Sequence, residues 1–144
     1  MVIGTVLVAC GAESGQDTAQ KQIGGAAPAD LSTCADDAVP AATTYGDGFP
    51  SDWPFPSNTV VHHVEDRGAD GTIVSAISTT SFSAILEFLN RDAVDAGFKI
   101  EDGETEDHDA EAEWKGDGFH GRWTIRESAT CAGETVIQVL STAD

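Results

Sequence analysis

Residues 81–98 read SFSAILEFLNRDAVDAGF, and this stretch decides the fold. Phe82, Ile85, Leu86, Leu89, Ala93 and Ala96 recur at the i, i+3, i+4, i+7 spacing that gathers apolar side chains on one side of a helix. Ser81 or Thr80 supplies an oxygen for the first unpaired N–H groups of that helix. Gly97 suits the left-handed residue just past its end, and Phe98 the apolar contact that accompanies such a stop. An amphipathic helix of this length is marginal alone and needs a surface to cover.

The flanking residues supply that surface. TVVHHVED (59–66) and TIVSAIST (72–79) are rich in β-branched residues and are joined through Asp70-Gly71, a hairpin signal. Beyond the helix, FKIED (98–102), AEAEWKG (110–116) and FHGRWTIRE (119–127) alternate apolar with polar residues, and ETVIQVLST (134–142) follows a turn at Ala132-Gly133. Ala110, Ala112 and Trp114 fall on one face of their strand, as do Phe119, Trp123 and Ile125 on theirs. The expectation is an α+β domain: an antiparallel sheet of about five to six strands with one helix packed on one face, in the order β-β-α-β-β-β-β.

Before the first strand, PAATTYGDGFPSDWPFPSN (40–58) holds four of the five prolines together with Tyr45, Phe49, Trp53 and Phe55. Proline fixes φ and biases its predecessor to extended forms, so FPSDWPFP reads as a stiff, polyproline-like arm. Its aromatics lie across the sheet, line a groove, or are offered to a partner.

Charge excludes whole classes of function. Twenty-five carboxylates face seven Lys plus Arg, for a net charge of −18. Nucleic acid needs clustered basic residues, and the chain has no such cluster. Anionic lipid headgroups are repelled for the same reason. Cationic partners are electrostatically permitted. No run approaches the roughly 20 apolar residues that span a bilayer.

The chain opens MVIGTVLVACG, a short apolar run ending in a cysteine. Leu7-Val8-Ala9-Cys10 resembles the bacterial lipobox, in which the cysteine becomes lipid-modified after cleavage. Met1-Val2-Ile3 lacks the basic residues that begin a signal peptide, so the true start is expected upstream. The resemblance implies a signal segment over 1–9, lipidated Cys10 with a tether over 10–30, and a single domain over 31–144. Residues 11–30 have one large aliphatic residue, Ile23, and cannot offset their ordering entropy. Two acyl chains suffice for stable anchoring at the membrane.

DWPFPSNTV, then SFSAILEFL…AGF, then WKGDGFHGRWTI also resemble small lipoproteins of high-GC Gram-positive bacteria, over about residues 46–140. This implies localisation on the outer face of the cell membrane, and no catalytic residue comes with it. In an oxidising compartment Cys34 and Cys131 can close a loop of roughly 100 residues, worth about 4–5 kcal/mol in the chain-entropy model. Two free buried thiols are the alternative.

Chemistry-bearing motifs are sparse. His62 and His63 are adjacent, so in a regular strand they point to opposite faces and cannot share a metal; His108 and His120 lie elsewhere. EDGETEDHDAEAE (101–113) would set Asp107, Asp109, Glu111 and Glu113 about 7 Å apart along one strand face, too wide for a calcium cage. GAESG (11–15) is not the nucleophile elbow, and no Ser-His-Asp order, phosphate-binding loop or dinucleotide fingerprint is present. The sequence points to no enzyme, cofactor or metal.

The expected function is binding or accessory work at the envelope through protein contact. Phe49, Trp53, Phe55, Trp114 and Trp123 are the candidate contact residues, because exposed aromatics dominate interface energetics. The alternative is a small-ligand binder using a groove between arm and sheet, and a hydrolase of envelope polymers stands third. A pocket with converging polar groups favours the small-ligand reading. A pocket-free surface with an exposed apolar patch favours protein contact.

Overall fold

The computed structural model describes residues 29–41 and 44–144, so the expected signal segment, Cys10 and the expected tether up to residue 28 lie outside the described residues. The elements are β1 (Thr59–Asp66), β2 (Thr72–Ser78), α1 (Phe82–Asp95), β3 (Lys99–Thr105), β4 (Asp109–Gly116), β5 (Phe119–Glu127) and β6 (Thr135–Ala143). All six strands form one antiparallel sheet in the order β1-β2-β6-β5-β4-β3. The class and element order match the sequence reading. The connection from β1 to β2 is longer than a two-residue hairpin: a short 3₁₀ turn covers Gly68–Asp70, and the Arg67 N–H donates to the Gly71 carbonyl at 2.8 Å.

Helix α1 carries the chain from β2, second from one edge, to β3 at the other edge. The meander β3-β4-β5-β6 then returns, so that β6 seals the gap between β2 and β5. The helix begins as expected, with the Ala84 N–H donating to Ser81 Oγ at 3.4 Å. It ends in a Schellman motif: Phe98 N–H reaches the Ala93 carbonyl, Gly97 N–H reaches Val94, and Gly97 has φ +103°. Ala96 is exposed at the C-cap, a correction to its place in the apolar stripe, because the chain has already begun to turn away.

Cross-strand partners share a face, and the register therefore sorts the sheet into two sides. On the helix side one row runs Val61, Ala76, Ile137, Ile125, Ala110 and a second runs Val64, Val74, Val139, Trp123, Ala112. Phe82, Ile85, Leu89 and Ala93 of α1 are buried, and the first three belong to the same hydrophobic cluster.

The proline-rich segment is not one stiff, straight arm, and its aromatics lie against the sheet and helix, the first of the three expected placements. It turns at Pro50–Trp53, with the Trp53 N–H donating to the Pro50 carbonyl at 3.3 Å, and folds inward. Trp53 stacks obliquely on Trp114 and Phe98, with ring centroids 4.5 and 4.9 Å away. Phe49 packs behind it at 6.4 Å, and Tyr45 bridges Phe49 and Phe55. The indole N–H groups of Trp53, Trp114 and Trp123 are buried and make no hydrogen bond. Leaving one unpaired costs about 1–3 kcal/mol, and burying the 150–250 Å² of such a ring at about 25 cal/mol/Å² more than offsets it.

Candidate binding groove on the helix-free face

The other side of the sheet carries the alternate residues. Three rows cross it: Asp109, Arg126, Val136, Ile77, Val60; then Glu104, Glu111, Thr124, Gln138, Ser75, His63; then Glu113, Arg122, Leu140, Ile73, Glu65. The β3–β5 end of this face is charged, while the β1–β2–β6 end mixes apolar Val136, Ile77, Val60, Leu140 and Ile73 with Gln138, Ser75, His63 and Glu65. Among the described residues, no helix covers the charged end.

A groove of about 480 Å³ lies there. Its floor is strand face, with Glu104, Asp109, Glu111, Thr124, Arg126, Val136 and Gln138. Glu106 and Glu127 stand at the end, and Leu31 and Ser32 form one wall beside the β5–β6 turn at Ser128–Thr130. A second depression of about 220 Å³ shares Glu104 and Glu111 and adds Asp102, Glu113 and Arg122.

The charges are unevenly matched. Arg126 pairs with Asp109 at 2.8 Å, Arg122 reaches Glu111 at 3.5 Å and Glu113 at 3.4 Å, and His108 meets Glu127 at 2.8 Å. Glu104 stands directly opposite Glu111 across the β3–β4 pair. Among the described residues neither Glu104 nor Glu106 has an ion-pair partner. Like charges directly opposite on one face are destabilising. Farther along β3, a hydrogen bond from Lys115 (2.8 Å) holds the Glu101 carboxyl below its ordinary range, and the same contact raises the Lys115 ammonium.

Chemically, the groove offers spread negative charge rather than a cage. Among the described residues, the one group of three His, Cys, Asp or Glu donors within 4.8 Å of one another is Cys34, Cys131 and Glu134. Its two sulfurs are joined to each other, with Cα atoms 5.6 Å apart, so neither is a thiolate. The Ala35 N–H donates to Glu134 Oε2 at 2.9 Å, which ties the cysteine-bearing segment to the body beside that bond.

The sequence-derived contact residues do not gather at this groove. Trp114 and Trp123 are each 1 % exposed, Phe49 4 % and Trp53 6 %, while Phe55 is half-buried. They are core residues, and to touch a partner they would have to leave the interior. The anticipated groove between arm and sheet is filled by these rings, and no described residue of 40–58 lines either cavity. Asp107 sits in the β3–β4 turn rather than in line with Asp109, Glu111 and Glu113.

His62 and His63 also differ from expectation. Val61 pairs with Ala76 and His63 with the very next residue, Ser75, so His62 is the extra residue of a β-bulge. Strict alternation of the two imidazoles is lost there. His63 Nε2 is buried without a partner. Burial, and then the charge of His63, hold His62 below its ordinary pKa, while Asp30 opposes them.

The groove escaped sequence reading because it needs the register of four strands. Its trace was visible in DAEAE (109–113) and RWTIR (122–126), which place carboxylates and guanidiniums on outward positions of adjacent strands. No protein-family model matches the chain, and comparison with curated proteins and with solved structures likewise gives no match.

Proposed function

We propose that this chain is a non-catalytic binding domain, held at the outer face of the cell membrane by lipid-modified Cys10, whose helix-free face receives a basic segment of an envelope protein. The observation that carries the reading is Glu104 opposite Glu111 in an open groove whose Arg126 is already engaged by Asp109. A ligand's lysine or arginine supplies the counter-charge the groove lacks. The surrounding net charge of −18 steers such a ligand inward and speeds its arrival at low salt. Because the carboxylates of Glu104 and Glu106 are exposed, the attraction is screened within about 8 Å at physiological salt, and the contact is correspondingly salt-sensitive.

A small cationic ligand is the second reading. The volume of about 480 Å³ favours it, since it falls in the range of small-molecule sites.

Titrating a fluorescent hexa-arginine peptide and, separately, spermine tests both readings. Saturable peptide binding that Glu104→Gln/Glu111→Gln weakens supports the protein-contact form. Saturation by spermine alone transfers the site to a small ligand. No binding of either, or equal binding by the double variant, ends the proposal for the groove. Intact-mass spectrometry of protein from its native host tests the anchor, and an unprocessed, unlipidated polypeptide would refute it.

A further inference from the structure

We infer that the Cys34–Cys131 bond is a redox latch that holds one wall of the acidic groove in place. The inference deepens the binding reading above, since it assigns that site its regulation.

The two ends of the bond are anchored very differently. Cys131 is buried in the β5–β6 turn, where the Cys131 N–H donates to Ser128 Oγ at 2.9 Å and the Ser128 N–H donates to the Glu134 carbonyl at 2.9 Å. Those bonds belong to the sheet's own hairpin. Cys34 sits on residues 29–41, which contribute no residue to the hydrophobic core cluster. Besides the disulfide, the backbone of 29–41 reaches the body through two hydrogen bonds: Ala35 N–H to Glu134 Oε2 at 2.9 Å and Ala41 N–H to the Val61 carbonyl at 2.8 Å. Leu31 and Ser32, two to three residues from Cys34, are the groove's wall on that side. Two isolated, partly buried hydrogen bonds contribute little net stability and do not hold a segment against its chain entropy. The covalent bond does.

Reduction requires a dithiol donor, such as a two-cysteine oxidoreductase. One donor thiolate attacks the half-buried Cys34 sulfur, breaks the S–S bond and leaves Cys131 as a thiolate that takes up a proton. The donor's second thiol then displaces Cys34. Two electrons and two protons pass to the protein, and the donor departs as a disulfide. The six-stranded sheet is untouched, while the wall is released and the groove opens to a bare charged strand face.

Amide hydrogen exchange on the full chain, oxidised, reduced, and as Cys34→Ser/Cys131→Ser, tests the latch. The expected result is lost protection at Ala35 and Ala41 with unchanged protection at Ile137 and Val139 in the sheet. In parallel, affinity for the hexa-arginine peptide should change by at least about fivefold between oxidised and reduced protein. Retained protection at Ala35 and Ala41 after reduction overturns the latch, as does sheet-wide loss, which would make the bond a staple of the whole fold. Equal peptide affinity with the wall released overturns its control of the site. Binding of the peptide to neither form refutes the function proposed above, and the exchange result still judges the latch itself.

Discussion

Trp114 on β4 stands directly opposite Gly121 on β5, and the strand has a glycine there because nothing larger fits. A Cβ on Gly121 would run into the Leu140 carbonyl and lie 3.1 Å from Cζ2 of Trp114. Gly121→Ala is therefore expected to lower stability by about 2–3 kcal/mol, as overpacking does when the neighbour is backbone. Gly118→Ala is the comparison: its φ of +81° is unfavourable but a Cβ there meets nothing within 4 Å, so a loss of about 1 kcal/mol is expected. Urea unfolding followed by tryptophan fluorescence reads both.

A second prediction concerns the sheet edge. Glu65 is 4 % exposed and its carboxylate is met by Arg67 Nε at 2.7 Å. Arg67→Ala strands a buried charge and should cost about 2 kcal/mol or more, less than a fully buried pair because Arg67 is partly exposed. Removing Arg91, whose helix-surface pair with Glu87 is open to water, should change stability by less than about 0.5 kcal/mol. Matched chemical denaturation of the two variants checks the contrast.

Acid should loosen the bulge before it affects the carboxylates. The His62 pKa in the folded chain lies below its ordinary 6.5, so between those values the unfolded chain binds more protons than the folded one. Stability is then full above 6.5 and falls as pH drops from there toward the folded pKa. Asp30 and Glu101 behave oppositely in origin, their folded pKa values being depressed below 3.8 and 4.5, and their contribution is lost only as pH falls through those lower values. His62→Gln should flatten the upper window of a stability–pH curve and leave the lower one in place. An unchanged curve between pH 7 and 5 would contradict this.

Reversing one charge should separate stability from binding. Glu104→Lys places a cation opposite Glu111, and a gain of about 0.3–1 kcal/mol is expected at low salt. The same change should weaken peptide binding. Thermal unfolding and titration, each at low and high salt, test the pair of effects, and both should shrink as salt rises.

Local signals in the chain were strong where one residue type has one physical use. Ser81, Gly97 and Phe98 mark the helix ends because caps are set by neighbouring residues alone, and the alternation around Trp114 and Trp123 fixes their shared face. Phe49 and Trp53 were harder. Proline restricts φ at single positions but does not determine where a chain of several prolines turns, and the turn at Pro50 is what buries both rings. His62 was misplaced because a bulge is a property of two paired strands, invisible in either one. The groove has the same origin: its carboxylates come from two strands, the turn between them and the far end of a third.

Sheet order has a kinetic consequence. β6 is hydrogen-bonded to β2 on one side and β5 on the other, so before it is synthesised the chain can make only a two-strand ribbon and a separate three-strand ribbon. Helix α1 packs against β3 and β5, so β1 and β2 are the part left without a partner, and joining the two ribbons means pairing residues 57 to 69 positions apart, a slow event for a polypeptide. A nascent copy therefore carries an incomplete sheet until β6 has been added.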